Sequence, residues 1–205
     1  MMNLLTCKEL TYSMGYKQIF KKLSFSIQPK ERILLTGENG SGKSTLLKLL
    51  FSSPNRKEFQ WNPSPISISY LGHEIGLYSS LSLRQNLDYF GSIYPNRMEI
   101  DFEMELLESF GLKKRVNDPV STFSEGMKRK AGLIRALLAG AELLLLDEPL
   151  NGLDANSLPI LEKHLETVYG RGSAVVLVTH GLGNFHFPYL RNFHLKDRNL
   201  VVTDA

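Results

Sequence analysis

The sequence predicts an α/β fold: a mainly parallel sheet covered by helices on both faces, a small antiparallel β part at its N-terminal end, and a helical lobe. Three observations carry that expectation. Short, continuously apolar runs such as "ELLLLDEP" and "SAVVLVTHG" alternate with segments of helical periodicity, the pattern of strands buried on both faces. A glycine-rich turn, residues 37–42, joins the apolar "RILLTG" to the helix-periodic "KSTLLKLLF". The first strands instead alternate polar and apolar residues, as in "KKLSFSIQ", which suits a sheet with one wet face.

Residues 3–36 read as β structure, with Pro29, Lys30 and Glu31 turning the chain before the apolar third strand. Beyond Gly42 the leucines and Phe51 recur at helical spacing. "SSPNRKEFQWNPSP" is a proline-punctuated loop, and "ISISYLG" is a further strand. Residues 82–116 read as largely helical, with Gly111 capping "MEIDFEMELLESFG". "EGMKRKAGLIRALLAG" is a second strong helix, closed by Gly140. The four-leucine strand follows, then the helix "SLPILEKHLETVYG", the strand "SAVVLVTHG" and a terminal hairpin, "NFHLKDRNLVVTDA". The expected organisation is one domain over residues 1–205, its helical lobe at roughly 82–132.

Composition narrows the classes. The 205 residues are 42% hydrophobic and 22% charged, enough to bury a substantial core and too apolar for disorder. A formal charge of +3 is too small to argue for nucleic acid as a partner. Cys7 is the single cysteine, so no internal disulfide can form, and a reducing compartment is expected. No apolar run approaches the roughly 18 residues a membrane span needs. The opening stretch, with acidic Glu9 and no basic lead into an apolar segment, does not read as a signal peptide.

Gly37, then Glu38, Asn39, Gly40 and Ser41, then Gly42-Lys43-Ser44 form the phosphate-binding P-loop pattern, set between strand and helix as its mechanism demands. Glycines let backbone N–H groups turn inward on phosphates where side chains would block them. A helix starting at Lys43 adds the positive end of its dipole. Lys43 is expected on the β- and γ-phosphates, the Ser44 hydroxyl on Mg²⁺, and Thr45 on a further phosphate contact. The bland alternative, a glycine turn that binds nothing, is disfavoured by the strand before it and the helix after it.

A second carboxylate-bearing site ends the four-leucine strand at Asp147 and Glu148. Beside a P-loop, an Asp for the metal and a Glu as base toward attacking water are the division of labour that phosphoanhydride hydrolysis needs. Alone, the same pair reads equally as a strand ending in a charged turn.

The order of the remaining pieces is what narrows the field: "FSEGMKRK" opening the helix before that strand, "LNGLD" directly after it, and "VVLVTH" placing His180 at the end of another buried strand. Together they resemble the ATP-binding subunits of ABC transporters over essentially the whole chain. The resemblance implies an ABC-ATPase type of P-loop fold, ATP and Mg²⁺ as ligands, and hydrolysis coupled to transport. It also implies that Ser124 and Gly126 contact the γ-phosphate of ATP held by a second subunit, so that the active unit is a homodimer. It implies that residues 151–154 sense that partner, and that His180 bonds the γ-phosphate and helps fix the attacking water. The expected partners are integral-membrane permease subunits, reached from the cytoplasmic face of the cell membrane as a peripheral protein.

Some positions depart from the family pattern. His73 stands where a loop glutamine is usual; a neutral imidazole can accept from water or approach a metal through one nitrogen, and His73 is expected to serve as the functional substitute. Glu125 and Met127 stand where glycine and glutamine are usual, and Glu125 is expected to weaken the ATP sandwich unless it points away. The segment between Lys43 and His73 is short, which implies a reduced antiparallel lobe. The adenine-stacking slot falls near Met14, with Tyr12 and Tyr16 read on one strand face and either able to stack. "LGH" followed by "GLYSSLSLRQNL" resembles, more narrowly, the ATP-binding subunits of haem-handling exporters in cytochrome c maturation. Two other readings stand beside this one: a soluble ABC ATPase or other small efflux ATPase, and a regulatory nucleotide-binding module that hardly turns over.

Overall fold

The computed structural model describes residues 2–204. The opening residues form an antiparallel hairpin, β1 (Leu5–Met14) with β2 (Lys17–Ile27), and the short β4 (Phe59–Trp61) pairs the other edge of β1 from Leu5↔Trp61 to Cys7↔Phe59. Its β4 strand is only three residues long, in keeping with the short segment that precedes His73.

The larger sheet has the order β5-β6-β7-β3-β8-β9. β3 (Arg32–Gly37), β5 (Ile68–Leu71), β6 (Leu143–Asp147), β7 (Ala174–Val178) and β8 (Arg191–Lys196) run parallel, and β9 (Asn199–Asp204) returns antiparallel as the second arm of the terminal hairpin. Period-two alternation sends the apolar side chains of β6 and β7 to opposite faces. Leu143, Leu145, Val176 and Val178 join Leu46, Leu47 and Leu50 of α1 (Lys43–Ser52) and the hairpin residues Leu5 and Phe20. Leu144, Leu146, Val175 and Leu177 face the other way, onto α3 (Ile100–Ser109), α4 (Glu125–Leu138) and α5 (Ser157–Gly170). The sheet is therefore covered on both faces, as its unbroken apolar strands require.

The stretch read as largely helical divides in two. Ser82 opens α2 (Leu83–Ile93) with a reciprocal capping box to Gln85. Tyr94 then takes φ −88°, ψ 119°, the extended conformation that a following proline imposes, and Pro95 ends the helix. α3 resumes at Ile100 and ends at Ser109, with Gly111 at φ +72° accepting the left-handed turn that a side chain would disfavour. Buried Glu103 bonds both Arg84 and Arg97, tying α3 to α2. Among the described residues no helix is long and apolar enough to cross a membrane.

His164 is the polar plug between α3 and α5. It is fully buried between Phe102 and Phe110, with Nε2 2.9 Å from Ser109 Oγ. Burial holds its imidazole below the ordinary value of 6.5; Glu105 pulls the other way and Lys163 adds to the depression. An unfolded chain binds this proton near 6.5 and the folded chain only at lower pH, so below 6.5 the unfolded state carries more protons and folding weakens. Stability to denaturant should be level above pH 7 and decline as pH falls through the 6–5 range, with a shallower decline in His164→Gln. An identical decline in the variant would remove His164 as its cause.

Candidate nucleotide site

β3 delivers the chain into a loop that only glycines allow. Gly37 has φ +144°, and a Cβ there would lie 2.5 Å from Leu195 O. Gly42 has φ +107°, and a Cβ there would lie 2.7 Å from Phe20 Cε1 and 2.8 Å from Ile19 Cγ2. Between them Ser41 N donates to Glu38 O at 3.2 Å, closing the loop. No side chain caps the N-terminus of α1, so its first N–H groups and the positive dipole end face the loop's concavity. Lys43 curls back over it, buried, with Nζ donating to Gly37 O at 2.8 Å and to Glu38 O at 3.0 Å.

A pocket of about 330 Å³ opens over this loop. Asn39, Gly40, Gly42, Lys43, Ser44 and Thr45 form its floor, and His73, Asp147, Glu148 and His180 arrive from the ends of β5, β6 and β7. Residues from four separate stretches of chain thus converge on one pocket. Glu38 and Ser41 line an adjoining cavity of about 390 Å³ instead, between the loop, Lys17–Ile19 and the β8–β9 turn.

Asp147 is fully buried at the end of β6. Its Oδ2 accepts from Tyr70 Oη at 3.3 Å, while Oδ1 has no protein partner. Burial, then the Asp147 charge, pushes the Tyr70 phenol well above its ordinary value, so it remains a donor. A buried anionic oxygen without a partner, in one pocket with the Ser44 hydroxyl, suits a hard cation that arrives with nucleotide phosphates. The residues present fit Mg²⁺.

Glu148, also buried, has the left-handed φ of +52°, and His180 Nε2 stands 3.3 Å from its Oε1. That oxygen has no hydrogen-bond partner in the protein. A dry carboxylate oxygen facing the pocket beside an imidazole is placed to take a proton from water.

Ser124 and Gly126 lie apart from this pocket. Ser124 is the N-cap of α4, its Oγ accepting from Met127 N at 3.3 Å, so the turn presents a hydroxyl and a helix N-terminus outward. Glu125 is exposed and pairs with Lys128 at 2.7 Å, which draws part of its charge along the helix. In the 151–154 loop, Asp154 is committed within the chain: Lys130 lies 2.6 Å away, and Ser157 N and Oγ donate to Oδ1. Those bonds, Lys130 first, hold its carboxyl down at about 2.

The two tyrosines do not share a strand face. β1 ends at Met14, Gly15 turns the chain at φ +57°, and Tyr16 falls in the turn, fully exposed. Tyr12 is half-buried, 6.4 Å from the Phe20 ring and beneath the Arg56 guanidinium. Neither lines the pocket over the loop.

Sequence reading gave no site role to Tyr70, within "ISISYLG", or to Arg129, within "FSEGMKRK". Arg129 did carry a signal: it lies on the same stripe of α4 as Gly132, Leu133 and Ala136, where a cation is out of place unless something buried receives it.

Comparison with known proteins identifies the family. The family model described as ABC transporter matches residues 20–151. The Nitrosomonas europaea protein named cytochrome c biogenesis ATP-binding export protein CcmA is 32% identical, over 86% of this chain and 88% of its own. The Paracoccus denitrificans protein of that name is 34% identical, over 87% and 83%. The Vibrio vulnificus one is 30% identical, over 95% and 100%. A solved structure described as the ATP-binding subunit of an ABC transporter superposes with a TM-score of 0.87 at 25% identity, covering 98% of this chain and 90% of that one. The family model covers well over half of the chain and the relatives align along most of their own length, so the chain belongs to the ABC transporter family as an ATP-binding, ATP-hydrolysing subunit.

Proposed function

We propose that the chain works as a homodimer on integral-membrane permease subunits, driving the export step of cytochrome c biogenesis, with haem handling as the task. The observation that carries the reading is the split site. Lys43, Asp147, Glu148 and His180 share one pocket, whereas Ser124 and Gly126, at the exposed serine-capped head of α4, lie outside its lining. An outward anion site of that kind completes a pocket only on another chain.

In this reading Gly37–Thr45 hold the phosphates, with Lys43 on the β- and γ-phosphates. Ser44 and Asp147 hold Mg²⁺, which when bound neutralises charge on those phosphates. Glu148 takes the proton of the attacking water, with His180 and His73 orienting water and γ-phosphate. Ser124 and Gly126 of the second copy close over the γ-phosphate, and residues 82–132 form the helical lobe that carries them. Closure on ATP and opening after hydrolysis give the two states a permease can follow.

A groove of about 700 Å³, with Phe51 and Tyr78 exposed on it, lies between α1 and the segment after β5. Aromatic side chains of this exposure suit a permease element, and the groove shares His73 with the nucleotide pocket, so a bound partner reaches the site directly. The relatives' shared name supports cytochrome c biogenesis as the setting.

Turnover per chain should rise with protein concentration as dimers form. Membrane subunits encoded beside it should co-purify with the parent and be lost from Tyr78→Glu, whose isolated ATPase activity stays within about twofold. Full turnover per chain at every dilution would overturn the shared site. Loss of cytochrome c maturation on deletion of the gene, restored by the parent and not by Lys43→Ala, tests the setting.

A further inference from the structure

Arg129 lies within "FSEGMKRK" but does not line the nucleotide pocket, yet three backbone carbonyls of that site meet on its buried guanidinium. Nη1 donates to Gly72 O at 2.7 Å, and Nη2 donates to Asp147 O at 3.0 Å and to Glu148 O at 2.5 Å. These carbonyls belong to the residue before His73, the residue with the free buried oxygen, and the residue with the dry carboxylate. Burial pulls the Arg129 pKa down, while the charges of Asp147 and Glu148 raise it.

Glu148 needs such support. A left-handed φ in a residue with a Cβ costs on the order of 1–2 kcal/mol and survives where surroundings over-determine it. Its amide donates to Val178 O at 2.9 Å; its carbonyl receives Asn151 N at 3.2 Å and the Arg129 fork. The helix that carries Arg129 is pressed on the same strand ends. A Cβ at Gly132 would come within 3.0 Å of Leu71 Cδ1 and 3.2 Å of Ile75 Cβ, and Ser69 Oγ donates to Ala136 O at 3.0 Å. α4 cannot move relative to β5 and β6 without carrying these carbonyls along.

We propose that Arg129 is a positioning residue for ATP hydrolysis: it couples the Ser124–Gly126 head of α4 to the placement of the Glu148 carboxylate and of His73 through their backbone carbonyls. The proposal rests on Glu148 being the base. A planar guanidinium with donors fixed in a fork reaches carbonyls lying in different directions, and an ammonium on a flexible stem does not. Displacing a reacting group by about 1 Å costs on the order of 100-fold in rate, so loss of the fork should appear in turnover rather than in ATP binding.

The test measures kcat, KM and the equilibrium affinity for a fluorescent ATP analogue in the full-length chain for Arg129→Met, Arg129→Lys, Glu148→Gln and Glu103→Gln. Arg129→Met should lose about 30- to 100-fold in kcat with nucleotide affinity within about threefold, and Arg129→Lys should recover part of the loss. Glu103→Gln, which weakens ion pairs away from the site, should lower the melting temperature with kcat within about twofold. If Arg129→Met melts lower but keeps its kcat, or if kcat and affinity fall together, Arg129 only fills buried carbonyls and the proposal fails. Should the methionine variant not fold, the lysine variant decides: a kcat at the parental level with intact binding overturns the coupling. An active Glu148→Gln would instead remove the base on which the proposal rests, and a dead one beside an active Arg129→Met removes the positioning role alone.

Discussion

Glu148→Gln should bind ATP at parental strength and hydrolyse it about 1,000-fold more slowly. The amide matches the carboxylate in shape, so the left-handed backbone at 148, its bond to Val178 O and the neighbouring Asp147 keep their places. What disappears is the capacity to accept a proton at Oε1, the oxygen that lies buried and unpartnered 3.3 Å from His180. A general base contributes about 100- to 10,000-fold, and a dry site puts the loss toward the upper part of that range. Phosphate release gives the rate, and titration with a fluorescent ATP analogue gives the binding. Hydrolysis within tenfold of the parent would assign the proton to another acceptor, His180 being the nearest.

What the sequence made legible follows the range of the forces involved. Residues 37–45 could be read because each glycine there answers a local demand, a positive φ or a contact that a Cβ would violate. β6 could be read because burial on both faces leaves no polar position before Asp147. Ser124 is legible as a cap, since a serine before a long periodic segment satisfies N–H groups that nothing else reaches. The reading of 82–116 as largely helical holds over Leu83–Ile93 and Ile100–Ser109, and the break between them follows from the pull of Pro95 on Tyr94, which outweighs the continuing periodicity. Tyr16 was misplaced for a similar reason: alternation continues through it, while Gly15 has already turned the chain. Tyr70 and Arg129 depend on strand order instead. Only when β5 lies beside β6 does Tyr70 reach Asp147, and only when α4 crosses both does one guanidinium find the three carbonyls. No local window holds that information, although a cation on an apolar helical stripe announces that some such receiver exists.

Lys43→Ala should produce the opposite phenotype, a folded chain that scarcely binds ATP. The parent ammonium is buried and held over the loop by Gly37 O and Glu38 O, so it meets phosphate oxygens already oriented and partly desolvated. A charge-assisted bond of that kind is worth about 1.5–3 kcal/mol, or roughly 10- to 150-fold in affinity, and two phosphates share it. Titration should therefore give about 100-fold weaker binding, with turnover lost at any practical ATP concentration. The backbone cradle survives, because Gly37 and Gly42 set its shape and Ser41 N still bonds Glu38 O. Unfolding should accordingly shift by no more than about 1 kcal/mol. Lys43→Arg should not rescue binding, since a planar fork is bulkier than the ammonium at a position enclosed by the loop. ATP binding at parental strength in the alanine variant would mean that the loop is not where the phosphates sit. The paired outcome is the sharper test: binding without turnover at position 148 and no binding at position 43 together require both groups to act on one nucleotide in the 330 Å³ pocket they line.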